Sequence, residues 1–310
     1  MRRMSGNQLS NLRRGVLALA MLAVLLGSVG AAWWYTSTVQ RRNSAGARIV
    51  SRIRGDKLPG LWGEAVKTTW YLVNIEGGVR GWQADVRGRS GKEFFAGLSV
   101  LAGAKGEAMT ERWLLSDDAT WGRYISDETA ASIASGNFDT EIRLEDDTVT
   151  VVQNRLQGLT ARSPAPENYL PKGTSELAVG LVAQERADAQ FKMVFNERPN
   201  VGGVVHFGTV RMTYRGHVRA QDGRQTSRVR VDFSDRPYWR EYLLAEDGQI
   251  VEISDPEKSW MPASQEEVQK HFPNGPAILR RQMPRAMIPR ITPQEEEERL
   301  PPSKLQVSGA

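Results

Sequence analysis

Residues 68–87 read Thr-Thr-Trp-Tyr-Leu-Val-Asn-Ile-Glu-Gly-Gly-Val-Arg-Gly-Trp-Gln-Ala-Asp-Val-Arg, and on them the fold class turns. Two runs rich in β-branched and aromatic residues flank Glu76-Gly77-Gly78. Glycine takes the positive φ angles that a tight hairpin turn requires, so this stretch predicts two antiparallel strands. The body of the chain is therefore expected to be mainly antiparallel β-sheet with a few short helices.

Working outward toward the C-terminus, the same texture recurs. A run from Met109 to Leu115 turns at Ser116–Ala119 and returns through Thr120–Ile125. Asp127–Ser135 reads as a short helix stopped by Gly136. Thr140–Leu144 alternates polar and apolar, turns at Glu145-Asp146-Asp147, and returns as Val149–Val152, which gives one wet face and one buried face. Residues 158–174 carry three prolines and two glycines and are expected to be irregular. A helix is predicted at Ser175–Asp188. Strands follow at 191–195, 204–214, 226–233, 239–245 and 249–253, with Asp222-Gly223 and Asp247-Gly248 as turns. After Pro256 the strand pattern stops; Ser264-Gln265-Glu266-Glu267 is a capping box for a short helix. Residues 274–310, rich in proline and glutamate, are expected to be extended or disordered.

Trp113-Leu114-Leu115-Ser116-Asp117-Asp118-Ala119 aligns with Tyr242-Leu243-Leu244-Ala245-Glu246-Asp247-Gly248. Each block is followed by a strand ending in Ile-Ser-Asp, at 125–127 and at 253–255. The sequence thus predicts two related β halves, 61–157 and 175–273, joined by a Pro-rich connection at 158–174. The plainer reading is that hairpins with acidic turns resemble one another.

Toward the N-terminus, Gly15–Tyr35 is a run of 21 residues without a charge, preceded by Arg13-Arg14 and closed by Trp33-Trp34-Tyr35. A helix of that length matches a bilayer's hydrocarbon core of about 30 Å. The aromatic closure suits an interfacial belt, which favours a retained transmembrane anchor over a cleaved signal peptide. Residues 1–14 then form a basic cytoplasmic tail, and residues 36–60 read as a basic linker. Long domains translocate largely regardless of charge, so the C-terminal body is expected outside the cytoplasm.

The net charge of +5 belongs to these flanks. Removing their ten basic residues and Asp56 from the totals of 41 and 36 leaves 31 basic and 35 acidic, so residues 58–310 carry −4. A nucleic-acid footprint should lie on the folded part, and no nucleic-acid partner is expected. The absence of cysteine excludes disulfides, thiolate metal sites and a cysteine nucleophile.

No catalytic, cofactor or metal motif stands out. His206 and His217 lie eleven apart, on opposite faces of any unbroken strand. Gly97-Leu98-Ser99-Val100-Leu101 lacks the second glycine of a hydrolase elbow. The pairs Asp117-Asp118 and Asp146-Asp147 fall in turns, where Asp is favoured for backbone hydrogen bonding. Aromatic residues are the candidate ligand or partner surface: Trp70, Trp82, Trp113, Trp121, Tyr238, Trp239 and Tyr242. They either line a pocket or fill a half-buried sheet. The sequence therefore points to a membrane-anchored extracytoplasmic β-sheet protein that binds or scaffolds an envelope component, a lipid-like ligand or a partner protein, without catalysis. The alternatives are an exported carboxylate-dependent hydrolase and a cytoplasmic membrane-tethered adaptor.

Overall fold

A computed structural model describes residues 6–103, 108–128, 138–153, 159–194, 203–220, 223–234 and 238–283; within 6–23 the side chain of Met21 alone is described. The chain opens with one long helix, α1 (Gly6–Trp62), broken at Lys57 (φ 57°, ψ 159°) so that its last turn sets off in a new direction. Eight strands follow: β1 (Lys67–Ile75), β2 (Gly78–Ser90), β3 (Phe94–Gly103), β4 (Ala108–Ser116), β5 (Trp121–Glu128), β6 (Phe138–Glu145), β7 (Thr148–Gln153) and β8 (Leu159–Pro164). After a short 3₁₀ turn at Lys172–Thr174 comes α2 (Ser175–Glu185). Six more strands return: β9 (Ala189–Val194), β10 (Phe207–Arg219), β11 (Gln225–Phe233), β12 (Tyr238–Leu244), β13 (Ile250–Ser254) and β14 (Lys258–Ala263). Two helices close the described chain, α3 (Gln265–His271) and α4 (Gly275–Gln282).

The strands form one antiparallel sheet of 14, ordered 8-7-6-5-4-3-2-1-14-13-12-11-10-9. Each meander is local, as tight turns dictate: Glu76 and Gly77 have φ of 51° and 77°, and Asp146 and Asp147 have φ of 47° and 55°. The one long-range join sets β1 beside β14, with Val73 opposite Trp260. A sheet of this size must curl, and its two ends approach each other. The segment after β8 lies along β9: Leu170 N donates to Lys192 O (2.8 Å) and Lys192 N to Asn168 O (3.0 Å). Val205 N donates to Ser163 Oγ of β8 (3.0 Å).

The segment expected to be a linker is helix. Its apolar residues Ala45, Ile49, Val50 and Ile53 recur at helical spacing and are buried in the main core, while its arginines find partners elsewhere in the fold. Arg42 pairs with Asp188 (2.9 Å), Arg48 with Glu185 (3.3 Å), and Arg54 Nη2 donates to the carbonyl of Tyr169 (3.3 Å). Asn43 Oδ1 accepts from Asn168 Nδ2 (3.1 Å) and Gln190 Nε2 (3.0 Å), fixing α1 across the sheet end at β9. An edge strand left bare would invite pairing with another chain, and α1 covers this one.

Three further expectations are corrected. Residues 159–164 are strand β8 rather than irregular, because β7 supplies the ladder from Thr148↔Pro164 to Gln153↔Leu159, with Pro164 at the strand's end. Asp127 and Glu128 belong to β5, paired with β4, rather than to a helix; the rest of that predicted helix lies outside the described residues. Within the tail, 275–282 is α4, whose Leu279 is buried; residues 284–310 lie outside the described residues. Among the described residues no helix is long and apolar enough to cross a membrane, and the side chains of 15–20, 22 and 23 are not among them.

The sheet packs on both faces. The inner face and α1 and α2 form the main core; the outer face of β1–β4 forms a second core of Trp70, Trp82, Ala84, Val86, Leu98 and Val100, roofed by Val268 of α3 and Leu279 of α4. The capping box that begins α3 is formed, with Glu267 N donating to Ser264 Oγ (3.1 Å) and Ser264 N to Glu267 Oε2 (2.6 Å).

Candidate functional site: an amphipathic cavity inside the sheet

Because side chains alternate along a strand, the outer apolar row of β2 (Trp82, Ala84, Val86) forces Gln83, Asp85 and Arg87 inward. Register continues that polar row across the wall: Thr69 stands opposite Asp85, Asp85 opposite Ser99, and Ser99 opposite Glu111. Facing it is an apolar wall built by Met193 of β9, Val210 and Met212 of β10, and Val231 and Phe233 of β11. Between the walls lies a cavity of about 760 Å³. β12 contributes Tyr238, Arg240 and Tyr242 to its lining, and the first turn of α2 contributes Glu176.

Aromatic rings pack where β4 meets the end of α1. Trp62, at the end of α1, lies 5.5 Å from Trp113 and 5.9 Å from Phe95, ring centre to ring centre. The Arg87 guanidinium sits 5.4 Å over the Trp62 ring. Trp113 lies against Gly97, where any Cβ would collide with its indole, so glycine is required there. Leu58 N donates to the carbonyl of Asp117 (2.7 Å), pinning the turn that delivers Trp62.

The polar wall is electrostatically tight. Burial pushes the Asp85 carboxyl up, against hydrogen bonds from Ser99 and from Gln83 Nε2, which donates to both oxygens (2.9 and 3.0 Å). Burial, and then the neighbouring Asp85, push the Glu176 carboxyl up to about 7. Arg87 and Arg240 pull the other way on both acids; Arg87 Nη1 approaches Glu176 Oε2 at 3.7 Å. Burial also raises Tyr71 and Tyr242, which stay protonated hydroxyl donors. The site thus offers donors, acceptors and rings. Among the described residues no group of three His, Asp or Glu side chains is placed to hold a metal.

Of the predicted aromatic surface, Trp113, Tyr238 and Tyr242 line the cavity. Trp70 and Trp82 pack on each other at 5.6 Å in the outer core, away from it. Trp121 lies on the outer face against Phe94 (5.4 Å), its Nε1 donating to Glu141 (2.7 Å), and Trp239 lies under the Arg230 guanidinium (4.8 Å). Asp85, Arg87, Glu176 and Arg240 were not anticipated, since single charges in a strand or a helix start resemble a solvent face. The turn acids serve the turns: Asp118 Oδ1 accepts from Thr120 N (3.1 Å) and Ser116 Oγ (2.7 Å). Asp117 pairs with Arg89 (3.0 Å).

Fold and site together define a mainly antiparallel β-sheet protein with an amphipathic cavity. No protein-family profile matches the chain, and no curated protein matches it. Among solved structures, it is similar to a β-barrel-like protein of a domain of unknown function, DUF1849, from Brucella abortus, with a TM-score of 0.47 and 10% identity over 64% of this chain and 95% of that one.

Proposed function

We propose that this is a non-catalytic binding protein, tethered by a single N-terminal span with its body outside the cytoplasm, whose cavity holds a lipid-like amphiphile of the envelope. The observation that carries the ligand is the division of one cavity of about 760 Å³ into a polar wall on β1–β4 and an apolar wall on β9–β11. The tether is supported by the charge-free Gly15–Tyr35 run and by the exposure of Val24, Leu25, Leu26, Val29, Trp33 and Trp34 on α1, at 60–72% each. The two halves read as copies: β9–β14 and β1–β6 follow one another along the sheet in the same sense, and each aromatic-Leu-Leu segment lies on the fourth strand of its half. In both, the first and third residues, Trp113 with Leu115 and Tyr242 with Leu244, belong to the main core.

The test is extraction of the purified full chain, held in amphipol, with organic solvent, followed by lipid mass spectrometry. About one amphiphile per chain supports the reading. A chain that arrives empty and takes up no fluorescent fatty acid refutes it. A reporter fused after Ala310 assigns the side of the membrane. A second reading, hydrolysis by a carboxylate pair, draws on Asp85 and Glu176 sharing the cavity. Turnover of an ester or glycoside library that disappears in both Asp85→Asn and Glu176→Gln would favour it over binding.

A further inference from the structure

Arg240 is a cationic side chain of the cavity lining whose donors are not all matched. Its Nη2 donates to Tyr238 OH (3.1 Å), the guanidinium also hydrogen-bonds the Tyr242 hydroxyl, and it lies 5.1 Å over the Trp260 ring and 5.8 Å over that of Tyr238. Its Nε is buried with no hydrogen-bond partner, and among the described residues no carboxylate comes within ion-pair distance of it. The indole Nε1 of the neighbouring Trp260 is buried and unpartnered too. Trp260 lies outside the cavity lining, but the orphaned cationic donor of Arg240 calls for an acceptor. The nearby acids do not fill that role: both oxygens of Asp85 are taken by Gln83, and Glu176 faces Arg87 at 3.7 Å.

Resting on the reading of the cavity as an amphiphile site, we propose that its polar end receives an anionic head group, a carboxylate or phosphate, held by Arg240 with Arg87 beside it. Both arginines act on the same two acids, which sets them around one point of the polar wall. An anionic oxygen there gives Arg240 a charge-assisted bond, while the chain of the amphiphile lies on the β9–β11 wall. The Glu176 carboxyl, pushed up to about 7 by burial and by Asp85, supports this, since its partial neutrality near pH 7 lessens its repulsion of an anion. The groups facing Glu176 are Asp85 and Arg87 from β2, Arg240 and Tyr242 from β12, and Tyr71 from β1.

The test titrates the full chain in amphipol with dodecanoate, with dodecanol and with inorganic phosphate, following tryptophan fluorescence, since Trp62 and Trp113 line the cavity. Dodecanoate should bind at least about tenfold more tightly than dodecanol, and Arg240→Gln should bring that ratio close to one. Equal affinity for the two chains in the unaltered protein overturns the anionic head while leaving the amphiphile reading in place. Failure of both to bind overturns the amphiphile reading, and the proposal with it. Phosphate that binds as tightly as dodecanoate marks a site for a free anion and also overturns the proposal. Should Arg240→Gln lose its far-UV circular dichroism, the comparison of ligands on the unaltered chain still decides.

Discussion

Replacing Gly46 by alanine tests whether α1 belongs to the fold. A methyl group at 46 would fall inside the contact radius of the Gln190 carbonyl oxygen, with Gln190 C at 3.1 Å and Asn168 Cβ at 3.4 Å. β9 backbone cannot swing aside as a flexible side chain would, so α1 must retreat by roughly 1 Å, a strain of about 1–3 kcal/mol for an overpacked contact. That retreat stretches the bonds from Gln190 and Asn168 to Asn43, each worth about 1 kcal/mol. Against this stands alanine's helix preference over glycine, about 1 kcal/mol. The net expectation is a loss of about 2–4 kcal/mol. For a chain of this size that lowers Tm by roughly 2–4 °C per kcal/mol. Gly55, on the same helix with nothing within 4 Å of its Cβ direction, is the control. Gly55→Ala should gain about 1 kcal/mol from helix preference alone. The assay is denaturation of the full chain followed by far-UV circular dichroism. If both substitutions raise stability equally, α1 does not dock on β9, and the account of the sealed sheet end is wrong.

Trp82→Ala should cost about 3–5 kcal/mol, because the side chain is 1% exposed in the outer core, whereas Trp239→Ala, stacked on a surface arginine, should stay within about 1 kcal/mol; chemical denaturation compares them directly. Stability should fall with rising pH between about 4.5 and 7, because folded Glu176 keeps a proton that the unfolded chain has released, and should level off above that. At about 1.36 kcal/mol per pH unit the full effect would be ~3 kcal/mol. With 35% of the side chain open to the cavity, about half of it is expected. Glu176→Gln should flatten the slope, and a profile unaffected by that change would show that Glu176 is not held neutral. Ser264→Ala should remove the reciprocal cap of α3 at a cost of about 1 kcal/mol, read as a loosened roof over the outer core by hydrogen exchange.

Hairpins were legible wherever the turn chemistry was local. Gly77-Gly78, Asp146-Asp147 and Asp247-Gly248 each announce their bend whatever lies across the sheet. β14 was missed because Lys258, Pro262 and its short length carry no alternation; it is a strand because β1 and β13 flank it. The docked half of α1 was read as linker because its arginines look solvated until Asp188 and Glu185, more than 130 positions away, are brought to them. The polar wall was hidden for a related reason. Trp82-Gln83-Ala84-Asp85-Val86-Arg87 alternates clearly, and the natural assumption sends its apolar face to the single core and its charges to water. A second core under α3 and α4 reverses that assignment, and no local pattern announces a second core.

The continuity of α1 has a mechanical consequence. Between Tyr35 and Ala45, the first residue buried against the sheet, ten residues of helix span about 15 Å with no flexible joint. With Tyr35 at a bilayer surface, as proposed, the body would ride on a stiff mast that sets both its height above the lipid and the compass bearing of its cavity. Inserting one residue into 37–41 would swing that bearing by about 100° while lengthening the mast by about 1.5 Å. Exchange of cargo with the bilayer or with a neighbouring receptor would then depend on the phase of the helix rather than on the reach of a tether.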